Sequence, residues 1–171
     1  MVMKYIGCVF ALLIAVPTFA AVQKKSQAPV SKILSGEGVS FGGLAGTGFT
    51  MMDLRLTADS KKKVERIVID VGDMNGGKII GWPGYYFAEL KKDPSQLVID
   101  FSQMPNSLVT QQVLKQKIKT SKAVQSAKMS LDPMDSSLNL TLSLKKNTKV
   151  RVYQVAGKKT TSKVVVDLIM E

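Results

Sequence analysis

Apolar and polar positions alternate strictly in the middle of the chain and predict a β-hairpin there. Leu97, Ile99 and Phe101 occupy every second position, so they lie on one face of an extended strand. An aromatic strand precedes them at 85–90. The turn between the strands, at 91–95, is predicted from Asp93-Pro94, because proline fixes its own φ and pushes the preceding residue out of the helical region.

The same pattern recurs near the C-terminus, with strands predicted at 150–155 and 164–168 and a turn at 156–161. Asp167 takes the place of Asp100, and the apolar positions of the closing strand become Val164, Val166 and Leu168. A further apolar strand precedes each hairpin, at 64–71 and at 137–144. We interpret these segments as two similar three-stranded halves. Their apolar faces must be buried against each other, which predicts an all-β, two-sheet sandwich.

Two other segments have weaker patterns. Residues 51–56 predict a strand with Met52, Leu54 and Leu56 on one face. The connector at 104–133 leaves helix and strand open, because residues 107–127 include good helix formers but only part of an apolar helical stripe. Lysines at 115, 117 and 119 would share one face of a strand, whereas in a helix they would spread around it.

The first 20 residues have the pattern of a signal peptide. Lys4 supplies a positive start, residues 6–16 are apolar, and the small residues before Ala21 predict cleavage after Ala20. Residues 21–35 are polar and basic and predict a flexible linker, and residues 36–171 predict a single domain. We therefore expect an exported, periplasmic protein that does not span the membrane after cleavage.

The amino-acid composition excludes most classes of catalytic site. The chain has no histidine, and its one cysteine, Cys8, lies in the predicted signal peptide. Cys–His and Ser–His–Asp sites, disulfides and the usual zinc sites are therefore excluded, and no cofactor or metal is expected. The enzyme class left open is Ser–Lys chemistry, since Ser35, Ser60 and Ser121 have lysines nearby. We expect a non-catalytic protein.

Charge favours an anionic partner. The net charge is +11, and removal of Lys4 with the signal peptide leaves 23 basic against 13 acidic residues, or +10. Aromatic residues around a turn suit stacking on sugar rings, and a basic run suits carboxylates. The candidate binding residues are Trp82, Tyr85, Tyr86, Lys115, Lys117 and Lys119. The alternative is structural: Trp82 caps the core, one tyrosine of the pair points inward, and the lysines are simply solvated.

The repeated motifs resemble the AMIN domain family. They read Y-Y-F-A-E-L at 85–90 and Q-L-V-I-D-F at 96–101, then V-R-V-Y-Q-V at 150–155 and K-V-V-V-D-L at 163–168. The resemblance implies a two-sheet sandwich of the kind found as a non-catalytic, peptidoglycan-binding module in periplasmic amidases and secretins. Family members often carry arginine where this chain has Gln96 and Lys163, so no family binding residue is transferred to this chain.

These observations lead to two functional hypotheses. The first is an exported module that binds peptidoglycan, or another anionic envelope polymer, and helps to localise or assemble envelope machinery. The alternative is an accessory factor that docks onto a secretin, pilus or secretion complex through an exposed sheet edge, without binding the wall directly. Neither hypothesis involves a nucleic acid partner.

Overall fold

A computed structural model describes residues 31–46, 48–145, 148–159 and 161–171. The predicted signal peptide and the linker up to residue 30 lie outside these ranges. The described chain contains eleven strands and one helix. In chain order they are β1 Ile33–Leu34, β2 Gly38–Gly42, β3 Phe49–Asp59, β4 Val64–Asp73, β5 Tyr86–Lys91, β6 Gln96–Phe101, β7 Asn106–Ser107, α1 Gln111–Ile118, β8 Val124–Asp132, β9 Ser137–Leu144, β10 Thr148–Val155 and β11 Ser162–Met170.

The strands form two sheets packed face to face, which confirms the all-β, two-sheet sandwich. The six-stranded sheet has the order β1-β10-β11-β4-β3-β7, and the five-stranded sheet has the order β2-β5-β6-β9-β8. Neighbouring strands are antiparallel, except that β7 runs parallel to β3. The core lies between the sheets, and the alternating apolar residues predicted for the two closing strands are all fully buried in it.

The leading strands of the two halves are exchanged. β4 pairs with β11 of the second half, and β9 pairs with β6 of the first half. Each half therefore places its first hairpin in one sheet and its second hairpin in the other. Alternation specifies which face of a strand is buried but not which neighbour it pairs with, so the sequence pattern could not reveal this exchange.

The internal duplication extends beyond the hairpins that the sequence revealed. The β3–β4 hairpin corresponds to β8–β9: β3 has a bulge between Met51 and Asp53, and β8 has one at the matching place. Both turns also end on a residue with positive φ, 52° at Lys63 and 57° at Ser136. The bulge corrects one prediction, because Met51, not Met52, shares the buried face with Leu54.

The two open sides of the sandwich are covered by different elements. On one side, α1 packs against β3 and β8, the outermost long strands of the two sheets. Its N-cap is Thr110, whose hydroxyl accepts a hydrogen bond of 3.3 Å from the Val113 N–H. Leu114 and Ile118, one turn apart, are buried. The connector is therefore helical only at 111–118 and becomes strand β8 afterwards.

The N-terminal strands cover the other side. β1 pairs with β10, and β2 pairs with β5, so the chain crosses there from one sheet to the other. The Ser40 hydroxyl donates a hydrogen bond of 3.2 Å to the Val152 carbonyl across the gap. Leu34 is buried in the core. The predicted linker therefore ends earlier than residue 35, since β1 already belongs to the fold.

Candidate functional site

The two tyrosines predicted to stack on a ligand point in opposite directions. Tyr85 is 40% exposed, whereas Tyr86 is 1% exposed, because neighbouring side chains alternate across a strand. The Tyr86 ring packs near Phe101 with centroids 6.5 Å apart, and burial raises its pKa to about 12. Tyr86 is thus a core residue with no free face for a sugar ring.

Trp82 is half-buried at one end of the sandwich, in the segment between β4 and β5. Gly81 and Gly157 exchange backbone hydrogen bonds of 2.8 and 2.6 Å, which tie this segment to the β10–β11 turn. The Leu44 N–H donates a further bond of 3.0 Å to the Pro83 carbonyl. Trp82 and Tyr85 are therefore held in place by the backbone on either side of them.

The three predicted lysines lie on or just after α1, on the opposite side of the sandwich from Trp82. Lys117 donates a hydrogen bond of 2.9 Å to an Asp53 carboxylate oxygen, while Lys115 and Lys119 are exposed. Lys115 and Lys119 are one helical turn apart and share a face, whereas Lys117 lies on a different face. The structure therefore does not gather the six predicted residues into one site.

Ser121 has a structural role in this fold. Its hydroxyl donates to the buried Glu65 carboxylate at 2.5 Å and accepts a bond of 2.8 Å from the Val124 N–H. Glu65 also accepts bonds from the backbone N–H groups of Lys122 and Ala123, at 2.6 and 3.1 Å. One buried carboxylate therefore anchors the segment that leads from α1 into β8.

A polar cleft, which the sequence did not predict, lies at the end of the sandwich away from Trp82. Its volume is about 830 Å³. It forms where the β1–β2 link, the β5–β6 turn and the start of β10 meet. Six of its lining residues carry hydroxyl or amide groups, namely Ser35, Ser95, Gln96, Gln125, Ser143 and Thr148. These residues are distant in sequence, so only the topology brings them together.

Charged side chains at this cleft are mostly basic. Lys92, Lys145 and Lys149 line it together with Asp93 and Glu171. Lys149 lies 2.7 Å from a Glu171 carboxylate oxygen, and this hydrogen bond lowers the pKa of that carboxyl. The described residues show no such ion pair for Lys92 or Lys145. The cleft can therefore offer hydrogen bonds and positive charge to a polar ligand that carries carboxylates.

A second feature is a buried ion cluster on the outer face of the six-stranded sheet. Asp167 has a fully buried side chain. Arg66 donates to it at 2.6 and 3.1 Å, and Arg151 at 2.6 and 3.2 Å. Both guanidinium groups lie within 6 Å of the Tyr153 ring centroid, at 5.9 and 5.7 Å. Burial alone would raise the pKa of Asp167, but the two arginines outweigh it and lower that pKa.

Asp100 occupies the equivalent position in the five-stranded sheet and lacks these partners. Its neighbours across the strands are Phe87 and Asn139, where Asp167 has Arg151 and Arg66. One Asp100 carboxylate oxygen is buried without a hydrogen-bond partner among the described residues. Burial raises the pKa of Asp100, and the charges of Asp135 and Asp132 add to this. The sequence showed that the aspartates recur, but finding this difference requires the strand register.

Exposed apolar side chains border Asp100 along β2 and β5. Phe41 is 64% and Phe87 38% exposed, and the two face each other across the strand pair. Val39, two residues before Phe41, is also exposed. β2 is the edge strand of its sheet, so this apolar band lies at an unpaired border of the sheet.

No protein-family model matches this chain, and no curated protein matches it. Within the described residues, no group of three or more acidic, cysteine or histidine side chains is placed to hold a metal ion. The same part of the chain has no helix long and apolar enough to cross a membrane.

Proposed function

We propose that this chain is a non-catalytic binding module that associates with peptidoglycan through the polar cleft. The observation that carries the proposal is the cleft itself, about 830 Å³, whose lining includes six hydroxyl or amide side chains and three lysines. Glycan hydroxyls hydrogen-bond to such side chains, and the carboxylates of stem peptides pair with lysine ammonium groups.

The overall charge supports the same proposal. A net charge of +10, which remains after removal of Lys4 with the predicted signal peptide, attracts the protein to an anionic polymer before specific contacts form. Salt at physiological strength screens exposed charges beyond about 8 Å, so this long-range attraction weakens with salt. Contacts inside the cleft are less affected. The salt dependence of binding therefore separates specific recognition from charge alone.

Export to the periplasm and membership of the AMIN family are parts of the proposal. They are supported by the signal-peptide pattern at 1–20 and by the repeated hairpin motifs. Residues 1–20 lie outside the described ranges. The duplicated two-sheet sandwich has the architecture that the resemblance implies.

The test is sedimentation of residues 21–171 with purified peptidoglycan sacculi at low and near-physiological salt. We expect retention at the higher salt, where an unrelated protein of similar charge is released. The double variant K92A/K145A removes two cleft lysines, and we expect about tenfold weaker binding, as the loss of charge-assisted hydrogen bonds predicts.

The matched control is K115A/K119A, which makes the same change of charge on α1. We expect it to bind as the unchanged protein does at near-physiological salt. Equal weakening by both double variants would show that charge alone drives binding, and release together with the unrelated protein would rule out specific wall binding.

A second candidate function is docking onto another envelope protein, such as a secretin. The apolar band of Val39, Phe41 and Phe87 favours it, because exposed apolar side chains beside an unpaired sheet edge are typical of protein interfaces. This band and the cleft share no residue. Stoichiometric co-purification with one envelope protein, without binding to sacculi, is the result expected for docking alone.

A further inference from the structure

The repeated aspartates differ in how their charges are balanced. Asp167 is held by two arginines, and Asp70 lies 2.6 Å from Arg55 and 3.6 Å from Lys163. For Asp100, no ion pair is found within the described residues. A partly buried carboxylate without a counter-charge is costly. The negative charge of Asp100 is not balanced by a cation within the described residues, so a cation supplied by a partner would stabilise it.

Matching rows of residues cross the outer faces of the two sheets. At Asp167 the row reads Ile33, Arg151, Asp167, Arg66 and Thr57. At Asp100 it reads Phe41, Phe87, Asp100, Asn139 and Ser130. In the six-stranded sheet, the carboxylate at this position is bound by guanidinium groups. The duplication therefore indicates that a guanidinium group also suits Asp100.

We propose that the outer face of the five-stranded sheet docks a protein segment that presents an arginine between apolar side chains, with the guanidinium bound to Asp100. The inference specifies the second candidate function and rests on it. The partner's arginine takes the part that Arg66 and Arg151 play at Asp167. Its apolar neighbours cover Phe41, Phe87 and Val39.

Charge complementarity supports a cationic partner at this face of a strongly basic chain. Asp132 and Asp135, at the β8–β9 turn, act on Asp100 strongly enough to affect its ionisation. On the next row Glu89 pairs with Lys91 at 3.3 Å. Lys128 lies on that row too, and among the described residues it forms no ion pair with Asp100. Asp100, Asp132 and Asp135 therefore form a group of carboxylates that favours a cationic partner.

Arginine fits this site better than lysine for two reasons. Its planar guanidinium donates two parallel hydrogen bonds to one carboxylate, as Arg66 does at Asp167. It also stacks on aromatic rings, and the side chain beside Asp100 is Phe87. At Asp167 an aromatic ring, that of Tyr153, likewise lies close to the guanidinium groups.

The test uses residues 21–171 and a defined probe, the capped peptide Ac-Leu-Arg-Leu-Arg-Leu-NH₂. Binding is followed by calorimetry and by NMR shifts of backbone amides. We expect saturable binding with shifts confined to β2, β5, β6 and β9. A second peptide carries citrulline, a neutral isostere, in place of arginine, and we expect it to bind about tenfold more weakly.

Three variants locate the contact. D100N is expected to bind the arginine peptide about tenfold more weakly, while D59N, which makes the same change at an exposed site in the other sheet, leaves binding unchanged. N139R places an arginine where Arg66 stands in the other half, and we expect it to fold and to compete with the peptide. N139R keeps the Asp100 carboxylate. Weaker peptide binding by this variant therefore cannot result from the loss of that carboxylate.

The possible outcomes test arginine recognition and the docking function separately. Equal binding of the two peptides, or binding that D100N and N139R leave intact, would overturn arginine recognition but keep an apolar docking surface. Absence of binding by both peptides, with no shifts along β2 and β5, would overturn the arginine site and the docking face together.

Discussion

Asp167 shows how a charge is accommodated inside this fold. Its side chain is fully buried, and four hydrogen bonds from Arg66 and Arg151 surround it. Removing the charge of Asp167 is costly, because four charge-assisted hydrogen bonds lose their acceptor, while the two arginines stay partly exposed to water. The cluster joins β10, β11 and β4 on the outer face of one sheet.

We expect D167N to lower the free energy of unfolding by about 2 kcal/mol, because the four hydrogen bonds from the arginines lose their charged acceptor. The matched control is D100N, which makes the same change where no arginine is present, and we expect it to be neutral or slightly stabilising. Urea unfolding at pH 7 measures both. Equal losses in the two variants would contradict the difference between these sites.

Lowering the pH is expected to change the stability contributions of Asp167 and Asp100 in opposite directions. The folded-state pKa of Asp167 is lowered, so its stabilising contribution is present above the unfolded pKa of about 3.9 and is lost as the pH falls through the folded value. The folded-state pKa of Asp100 is raised, so its destabilising charge is relieved as the pH falls through that higher value.

In urea unfolding between pH 7 and pH 3, we therefore expect the deficit of D167N to shrink only below about pH 4. Any advantage of D100N should be present at neutral pH and disappear at a higher pH than this. A D100N advantage that grows on acidification would contradict the raised pKa of Asp100.

At the scale of elements, α1 is held by packing more than by its own propensity. A helix of eight residues is marginal in isolation. Leu114 and Ile118 attach it across the side of the sandwich, and the lysines on and after it remain largely in solvent. The helix therefore seals the core on one side and presents a basic surface on the other.

We expect L114A to lower the free energy of unfolding by about 3 kcal/mol, because the substitution leaves a cavity at a fully buried position. K115A, the next residue along the helix, is the control and should leave stability unchanged within measurement error. Thermal and urea unfolding report both. A small effect of L114A would mean that the core stays closed without the helix.

The connector also shows the limit of local patterns. Residues 107–127 include helix formers throughout, yet 124–132 form strand β8. Pairing with β9 supplies backbone hydrogen bonds and places Val124 and Ala127 in the core, which overrides weak helix propensity. The bulge in β3 is a similar case, since one extra residue changed which methionine is buried.

At the scale of the whole molecule, the exchanged strands make the two halves interdependent. Each sheet is completed by a strand from the other half, through the β4–β11 and β6–β9 pairs. A separated half would keep two hairpins, and the first half would also keep β2 beside β5, but every hairpin would lose its neighbouring strand from the other half. Isolated hairpins are marginally stable in water.

We therefore expect fragments 21–103 and 104–171 to be unfolded when prepared separately and to regain β structure when mixed. Circular dichroism with thermal unfolding tests this, and the intact chain is the reference. Cooperative unfolding of either fragment by itself would show that a half is an independent folding unit.

The sequence by itself determined the long strands β3, β4, β5, β6, β9, β10 and β11, the repeated hairpins and the burial of most alternating apolar side chains, because these follow from a two-residue period and from turn chemistry that acts locally. The turn predicted at 91–95 is one such case, because β5 ends at Lys91 and β6 begins at Gln96. Which residues would form a binding surface could not be read in this way. Of the six proposed residues, Tyr86 is buried, and the others are split between two sides of the molecule.

Only the tertiary structure decided which strands pair. The pairing in turn decides which residues lie together on the surface. The polar cleft collects residues between positions 35 and 171, and the contrast between Asp167 and Asp100 depends on which side chains stand opposite them. Both depend on pairing between segments far apart in sequence. The alternation of apolar residues does not specify that pairing, because the apolar face of a strand can be buried beside any of several other strands.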